Sequence, residues 1–306
     1  MGRERACYRC RVTDGKRPSV FAYDGAFWRR LAAMGAQRFP PWCMKYTPPF
    51  FGVAAAVAVP SARRAVIRNL RLIRGPASAW RETLEVSQTF ASYAGCLAEV
   101  LANDSKNAGE IESEVFGAEH ARVAAERDRG VLLLTMHTGG WELASPMFAR
   151  DAGLDVLVVM EDERSAEAQA IHDRARAASG VRVMHIGKDP LDALPMIRHL
   201  REKGAVAFQI DRPPPNGRVV EVTLLGEPAT IPEGPFRLAQ LSGATILPVF
   251  CTRVAFRRYE FHAYPPVRLE RRASAEDVQR AAQSAADAMT DFLRRHPTQW
   301  FNFGRA

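Results

Sequence analysis

From about residue 111 onward, short apolar runs alternate with longer amphipathic stretches, and this rhythm limits the folds open to the chain. Residues 131–137 (VLLLTMH) precede 141–150, and 156–160 (VLVVM) precede 164–178. Residues 181–186 (VRVMHI) precede 191–203, and 205–210 (AVAFQI) precede a Pro-rich loop. Runs of four to seven apolar residues that each feed a helical pattern read as βα units around a mostly parallel sheet. The order then loosens. Residues 219–225, 245–252 and 254–264 read as further strands, and 273–295 as a closing amphipathic helix. The expected class is α/β, a mostly parallel mixed sheet flanked by helices.

The first third reads differently. Residues 1–20 form a basic lead expected to be disordered. Residues 21–110 carry a helical pattern and are expected to cap the sheet. Phe21, Phe27, Trp28, Leu31 and Met34 recur near helical spacing. A helix is expected from Ser61, as N-cap, to a stop at Gly75. Its Arg63, Arg64, Arg68, Arg71 and Arg74 are of one sign. Residues 80–101 read as another helix, with Leu84, Ala91 and Ala98 on a small-residue face. Residues 111–306 form the α/β core, in one domain with the helical region.

Charge and cysteine content narrow the function. With 42 Lys and Arg against 34 Asp and Glu, the chain carries +8, and its pI is near 9.6. Such a surface attracts anions, whether acidic headgroups, phosphorylated substrates or nucleic acid. No RNP, helix-turn-helix or zinc-finger signature accompanies the arginines, so no nucleic-acid partner is expected. Five scattered cysteines point to a reducing compartment. Cys7 and Cys10 have CxxC spacing without a second ligand pair, so no metal is expected. The first twenty residues hold no secretory h-region. The thirteen apolar residues of 48–60 are too few to span a bilayer, which takes about 20.

The sharpest local signal is HTGGWE at 137–142. An apolar strand ends at His137, Gly139 and Gly140 follow, and Trp141-Glu142 open a helix. In a strand–turn–helix, the Glu142 carboxylate can reach one imidazole nitrogen and leave the other pointing outward. His137 then has the means to take a proton from a hydroxyl, as in Ser–His–Asp sites but without the serine. Gly139 and Gly140 allow close backbone approach, and their N–H groups suit a phosphate or an oxyanion. The alternative is a turn histidine satisfied by its neighbours. Trp141 is expected to pack the helix start.

His137–Glu142 resembles the H-x4-D/E signature of glycerolipid-type acyltransferases, in the H-x-G-N-W-E form of the bacterial lipid A biosynthesis acyltransferase family, which also holds phosphatidylinositol mannoside acyltransferases. Arg63-Arg64 and Asn69-Leu70 are similar to its R-R…N-L helix. Residues 207–217 (AFQIDRPPPNG) resemble its D-Q-x-x-G loop, 224–250 its F-F-G-x-P-A run, and 296–305 its H-P-E-Q-W segment. The likeness covers about residues 60–306. Gly140 stands where the family has Asn, and Arg212 where it has Gln.

The resemblance implies a glycerolipid acyltransferase-like fold. It also implies transfer of a fatty acyl group from an acyl carrier protein or coenzyme A thioester to a hydroxyl of a lipid A-like, glycolipid or lysolipid acceptor. His137 would be the general base and Glu142 its orienting carboxylate. Asp211 would lie at the site as a substrate-binding residue; its other reading is a turn aspartate before Pro213. Arg174 or Arg176 would contact a phosphate. No cofactor beyond the thioester co-substrate is implied. The membrane surface is an implied partner, with peripheral or monotopic attachment at the cytoplasmic face of the inner membrane. A thioester or lipid hydrolase, or a catalytically silent lipid-binding member, is the alternative.

Overall fold

The computed structural model describes Gly35 and residues 41–304, except 103–109, 127–128, 143–152, 162–168, 171–172, 174–176, 178–180, 187–189 and 214–216. The expectations for 1–20 and 21–34, and most of the helix expected at 164–178, lie outside the described residues.

Seven strands form one continuous hydrogen-bonded path. In chain order the strands are β1 (Glu112–Phe116), β2 (Val131–Thr135), β3 (Val156–Glu161), β4 (Arg182–Ile186), β5 (Ala205–Gln209), β6 (Val219–Leu224), β7 (Glu227–Pro232), β8 (Thr245–Ala255), β9 (Arg258–Ala263) and β10 (Val267–Arg268). The main sheet runs β1-β9-β8-β2-β5-β3-β4, with β10 paired to β8, while β6 and β7 form a separate ribbon. All pairs from β8 to β4 are parallel, β8–β9 and β8–β10 are antiparallel, and β1–β9 is parallel. The sheet is therefore α/β and mixed. Every residue of β2 is buried, as expected for a central strand covered on both faces.

The helices divide the same way. In the N-terminal region lie α1 (Pro41–Ala58), α2 (Pro60–Arg74) and α3 (Ala79–Ala102). Around the sheet lie α4 (Ala118–Ala125), α5 (Ala193–Arg201), α6 (Gly234–Ser242) and α7 (Ala275–Arg295). The main core joins Leu132, Leu134, Met136, Val206 and Ile210 of the central strands to Phe236, Ala282, Met289 and Phe292 of α6 and α7. The other face buries Leu133, Ala205 and Val158, with Trp141 packed against them. Trp141 thus packs the start of its helix.

Two local expectations are corrected. Helix α2 begins at Pro60, with Val59 as N-cap, so Ser61 lies inside its first turn. Proline's fixed φ suits the first helical position, and its missing N–H costs nothing there. Gly75, at φ 82°, does end the helix. In α3, Ala98 of the small-residue face is buried but Leu84 is exposed, and the buried stripe also takes in Glu82, Glu85, Val86, Thr89 and Phe90. The acids turn inward because α2 supplies partners. Arg71 Nε donates to Glu82 at 2.6 Å and Arg74 Nε to Glu85 at 2.6 Å. Two of the one-signed arginines therefore clamp α2 to α3.

Candidate active site

Two neighbouring strands deliver the site. β2 and β5 pair in parallel with Thr135 opposite Gln209, and Ile210 N–H donates to the Thr135 carbonyl at 3.0 Å. His137 and Asp211 each stand two residues beyond that register, so they emerge side by side, on the same parity, at the carboxyl end of the sheet. Open α/β sheets bind ligands at this edge.

Asp211 takes hold of His137 twice. The His137 backbone N–H donates to Asp211 Oδ1 at 3.1 Å, and Nδ1 lies 2.8 Å from the same oxygen. The Trp300 indole Nε1–H donates to Oδ2 at 2.9 Å. The carboxylate side chain is 0% exposed and the imidazole 25% exposed. Burial alone pushes the Asp211 carboxyl up. The His137 ring, Arg212 and the Trp300 indole overcome that and hold it at about 2. The pair is an anchored carboxylate beneath an imidazole that a molecule from outside can reach, with Nε2 as the nitrogen Asp211 does not engage.

The carboxylate at Nδ1 is thus Asp211, from 74 residues downstream, and not Glu142. A neighbouring strand end presents this carboxylate. Glu142 stands at the start of the helical turn formed with Trp141 and is half-buried. Arg174 and Arg176 lie outside the described residues.

Gly139 and Gly140 are buried, and protein fills the space where side chains would stand. A Cβ on Gly139 would overlap Gln299 Oε1 and the Arg253 backbone N; one on Gly140, at φ +76°, would overlap the Tyr259 ring. Packing against β8, β9 and the C-terminal residues therefore accounts for both glycines. The close packing is with the protein's own atoms, as the absence of a side chain permits.

Behind this turn lies a polar network that sequence reasoning missed. Glu99 of α3, 1% exposed, accepts from Arg253 Nε at 2.8 Å and Nη2 at 2.6 Å. It also accepts from the Arg257 N–H at 2.9 Å and the Tyr259 hydroxyl at 2.7 Å. Each donor is satisfied, as a buried charge requires. Trp300 was also missed as a site residue; its only sequence signal is its place in the family-like terminal segment.

Cys96 and Cys251 are buried free cysteines. Burial pushes the Cys96 thiol up to about 12 and that of Cys251 well up. Among the described residues no group of three or more His, Cys, Asp or Glu side chains is placed to hold a metal.

The protein is thus α/β, with a mostly parallel mixed sheet whose adjacent central strands lead to a paired histidine and buried carboxylate at its carboxyl edge. The chain belongs to the bacterial lipid A biosynthesis acyltransferase family, whose model matches residues 22–306. It is similar to the phosphatidylinositol mannoside acyltransferase of Mycobacterium tuberculosis (strain ATCC 25618 / H37Rv), 26% identical over 201 residues, which are 65% of this chain and 61% of that protein. It is also similar to the protein of the same name from Mycolicibacterium smegmatis (strain ATCC 700084 / mc(2)155), 24% identical over 238 residues, 76% of this chain and 75% of that protein. The chain therefore spans about three-fifths of the length of the Mycobacterium tuberculosis relative.

Proposed function

We propose that this chain transfers a fatty acyl group from a thioester of acyl carrier protein or coenzyme A to a hydroxyl of a glycolipid acceptor, of the lipid A or phosphatidylinositol mannoside type. The observation that carries the reading is the 2.8 Å contact of His137 Nδ1 with Asp211, set within a chain of an acyltransferase family. Asp211 holds the proton on Nδ1 and keeps Nε2 as the base. Nε2 takes the acceptor's hydroxyl proton as that oxygen attacks the thioester carbonyl carbon. The tetrahedral oxyanion collapses, the C–S bond breaks, and the imidazolium returns the proton to the leaving thiolate. Ester and free thiol are the products. No acyl-enzyme is invoked, consistent with the protonated thiols of Cys96 and Cys251. Glu142 is assigned a supporting carboxylate at the same edge.

Attachment to a membrane surface belongs to the same reading. Trp42, Tyr46, Phe50, Val53 and Val57 recur at helical spacing along one face of α1, and all are exposed, Phe50 at 72%. The opposite face packs on α3, with Gly52 against the Phe90 carbonyl. An aromatic stripe of this kind, with Arg64 and Arg68 exposed on the following helix α2, suits the headgroup region of an anionic leaflet. Among the described residues no single helix is long and apolar enough to cross a membrane, and α1 with α2 passes that test only as a pair bent by 98°. We place the protein on the cytoplasmic face of the inner membrane.

The test is acyl transfer from radiolabelled palmitoyl thioesters, on acyl carrier protein and on coenzyme A in separate arms, to a total bacterial lipid extract, with products read by mass spectrometry. His137→Ala is expected to lose about 10²–10⁴-fold. Turnover at near wild-type rate in that variant overturns the mechanism. Free fatty acid as the sole product, with acceptor present, makes the protein a hydrolase. Flotation with anionic vesicles tests the surface, and Phe50→Glu with Phe51→Glu is expected to abolish it.

A further inference from the structure

The last described residues, 296–304, run as a strap across the carboxyl edge of the sheet, and three of their groups grip the dyad or its neighbour. Phe301 N–H donates to the His137 carbonyl at 2.7 Å. Arg212 Nη2 donates to the Phe301 carbonyl at 2.6 Å. Trp300 Nε1–H donates to Asp211 Oδ2 at 2.9 Å. The strap is in turn fastened to the helical region. Asn69 Nδ2 donates to the Asn302 carbonyl at 2.7 Å, and the Phe303 ring lies 5.1 Å from that of Phe90 and 4.9 Å from that of Tyr93.

We propose that Trp300 is a positioning residue of the acyl-transfer site, acting through Asp211, and that the strap carrying it completes the site. The proposal rests on the proton-transfer reading of His137 and Asp211 above. Its physical basis is the count of donors on one carboxylate. Oδ1 receives both His137 donors, and Oδ2 receives the indole. With both oxygens committed, the carboxylate cannot rotate about its Cβ–Cγ bond without breaking a bond on a buried charge. An indole suits the place because it donates only. It brings no positive charge that would neutralise Asp211 and weaken its pull on the imidazolium. A phenylalanine would keep most of the volume and none of the hold.

The indole therefore turns the arrival of the C-terminal segment into a condition for catalysis. His137 and Asp211 are brought together by the sheet, and the strap sets which oxygen faces the imidazole. A loosened carboxylate misplaces the base relative to the acceptor, a kind of error that costs up to about 100-fold in rate.

The experiment is a double-mutant cycle of Trp300→Phe and Asp211→Asn, assayed for acyl transfer from palmitoyl-CoA to a total lipid extract. Trp300→Phe is expected to lower kcat about 10-fold and to leave the KM for palmitoyl-CoA within about twofold. In the Asp211→Asn background it is expected to cause no further loss, because the group it acts through is gone. Equal losses in both backgrounds, or an unchanged kcat, overturn the proposal. His137→Ala separates the two readings. Activity retained there removes the mechanism itself, whereas an inactive His137→Ala beside a fully active Trp300→Phe removes only the role of Trp300. Should Trp300→Phe fail to fold, the native indole reports instead. In protein labelled with 15N-tryptophan, one of the five indole N–H signals is expected to move upfield in Asp211→Asn, and five unmoved signals overturn the proposal.

Discussion

Replacing Asp211 by Asn removes one charge and changes almost no volume, so its consequences follow from hydrogen-bond valence. Three donors converge on the native carboxylate: the His137 N–H, the His137 Nδ1–H and the Trp300 Nε1–H. An asparagine offers one oxygen and an NH2 group. If its oxygen keeps the two His137 donors, the NH2 faces the indole N–H, donor to donor. If it flips, the NH2 faces the His137 N–H and donates to Nδ1, which forces the ring proton onto Nε2 and removes the base. Either arrangement leaves a buried donor unpaired, at about 1–3 kcal/mol. Either also removes the charge that stabilises the imidazolium. Wrong-tautomer and lost-charge effects of this kind cost about 10²–10⁴-fold in kcat. The assay is steady-state acyl transfer with saturating palmitoyl-CoA, alongside thermal unfolding to show that the fold survives. A kcat within about threefold of wild type would refute the reasoning. If Glu142→Gln then proved severe where Asp211→Asn was mild, the orienting role would return to Glu142.

Three other outcomes follow from groups around the site. Asp211 is held at about 2 in the folded chain against an ordinary 3.8, so it binds a proton more readily when unfolded. Its contribution of about 2 kcal/mol is complete above pH 4 and fades as pH falls to about 2; urea unfolding at pH 5 and pH 3 should narrow the gap between wild type and Asp211→Asn. Gly140→Ala places a methyl in the ring of Tyr259 at φ +76°, and Tyr259 cannot retreat because its hydroxyl is bonded to Glu99. It is expected to cost about 2–4 kcal/mol, read as a melting temperature lowered by several degrees. Glu99→Ala strands Arg253, whose side chain is 11% exposed, and is expected to lower stability by about 3–5 kcal/mol in a urea titration.

The strands from β2 to β5 were legible because each is a short, mainly apolar run, and β2 is buried throughout. β1 was not, since ESEVF lies on the sheet edge, is mostly exposed, and has no apolar face to betray it. β7, EPATIP, has proline at both ends of a two-stranded ribbon, a composition that reads as loop. His137 was legible from its place at the end of an apolar strand, and Asp211 through family resemblance. Their contact was not, because it depends on which strands become neighbours, and periodicity along one segment carries no information about strand order. Glu82, Glu85 and Glu99 show the same limit. A glutamate reads as a solvent residue until a partner helix or strand presents an arginine, and here Arg71, Arg74 and Arg253 do so.

The ladder joining β2 to β5 also sets what kind of length change this chain can absorb. Side chains alternate along a strand, so one residue gained or lost inside β5 would turn Asp211 to the opposite surface of the sheet and separate it from the imidazole. The same gain in the segments between β2 and β5 would leave both strand ends where they are. Insertions between those strands are thus free to reshape whatever surrounds the pair, while Asp211 and His137 stay in step.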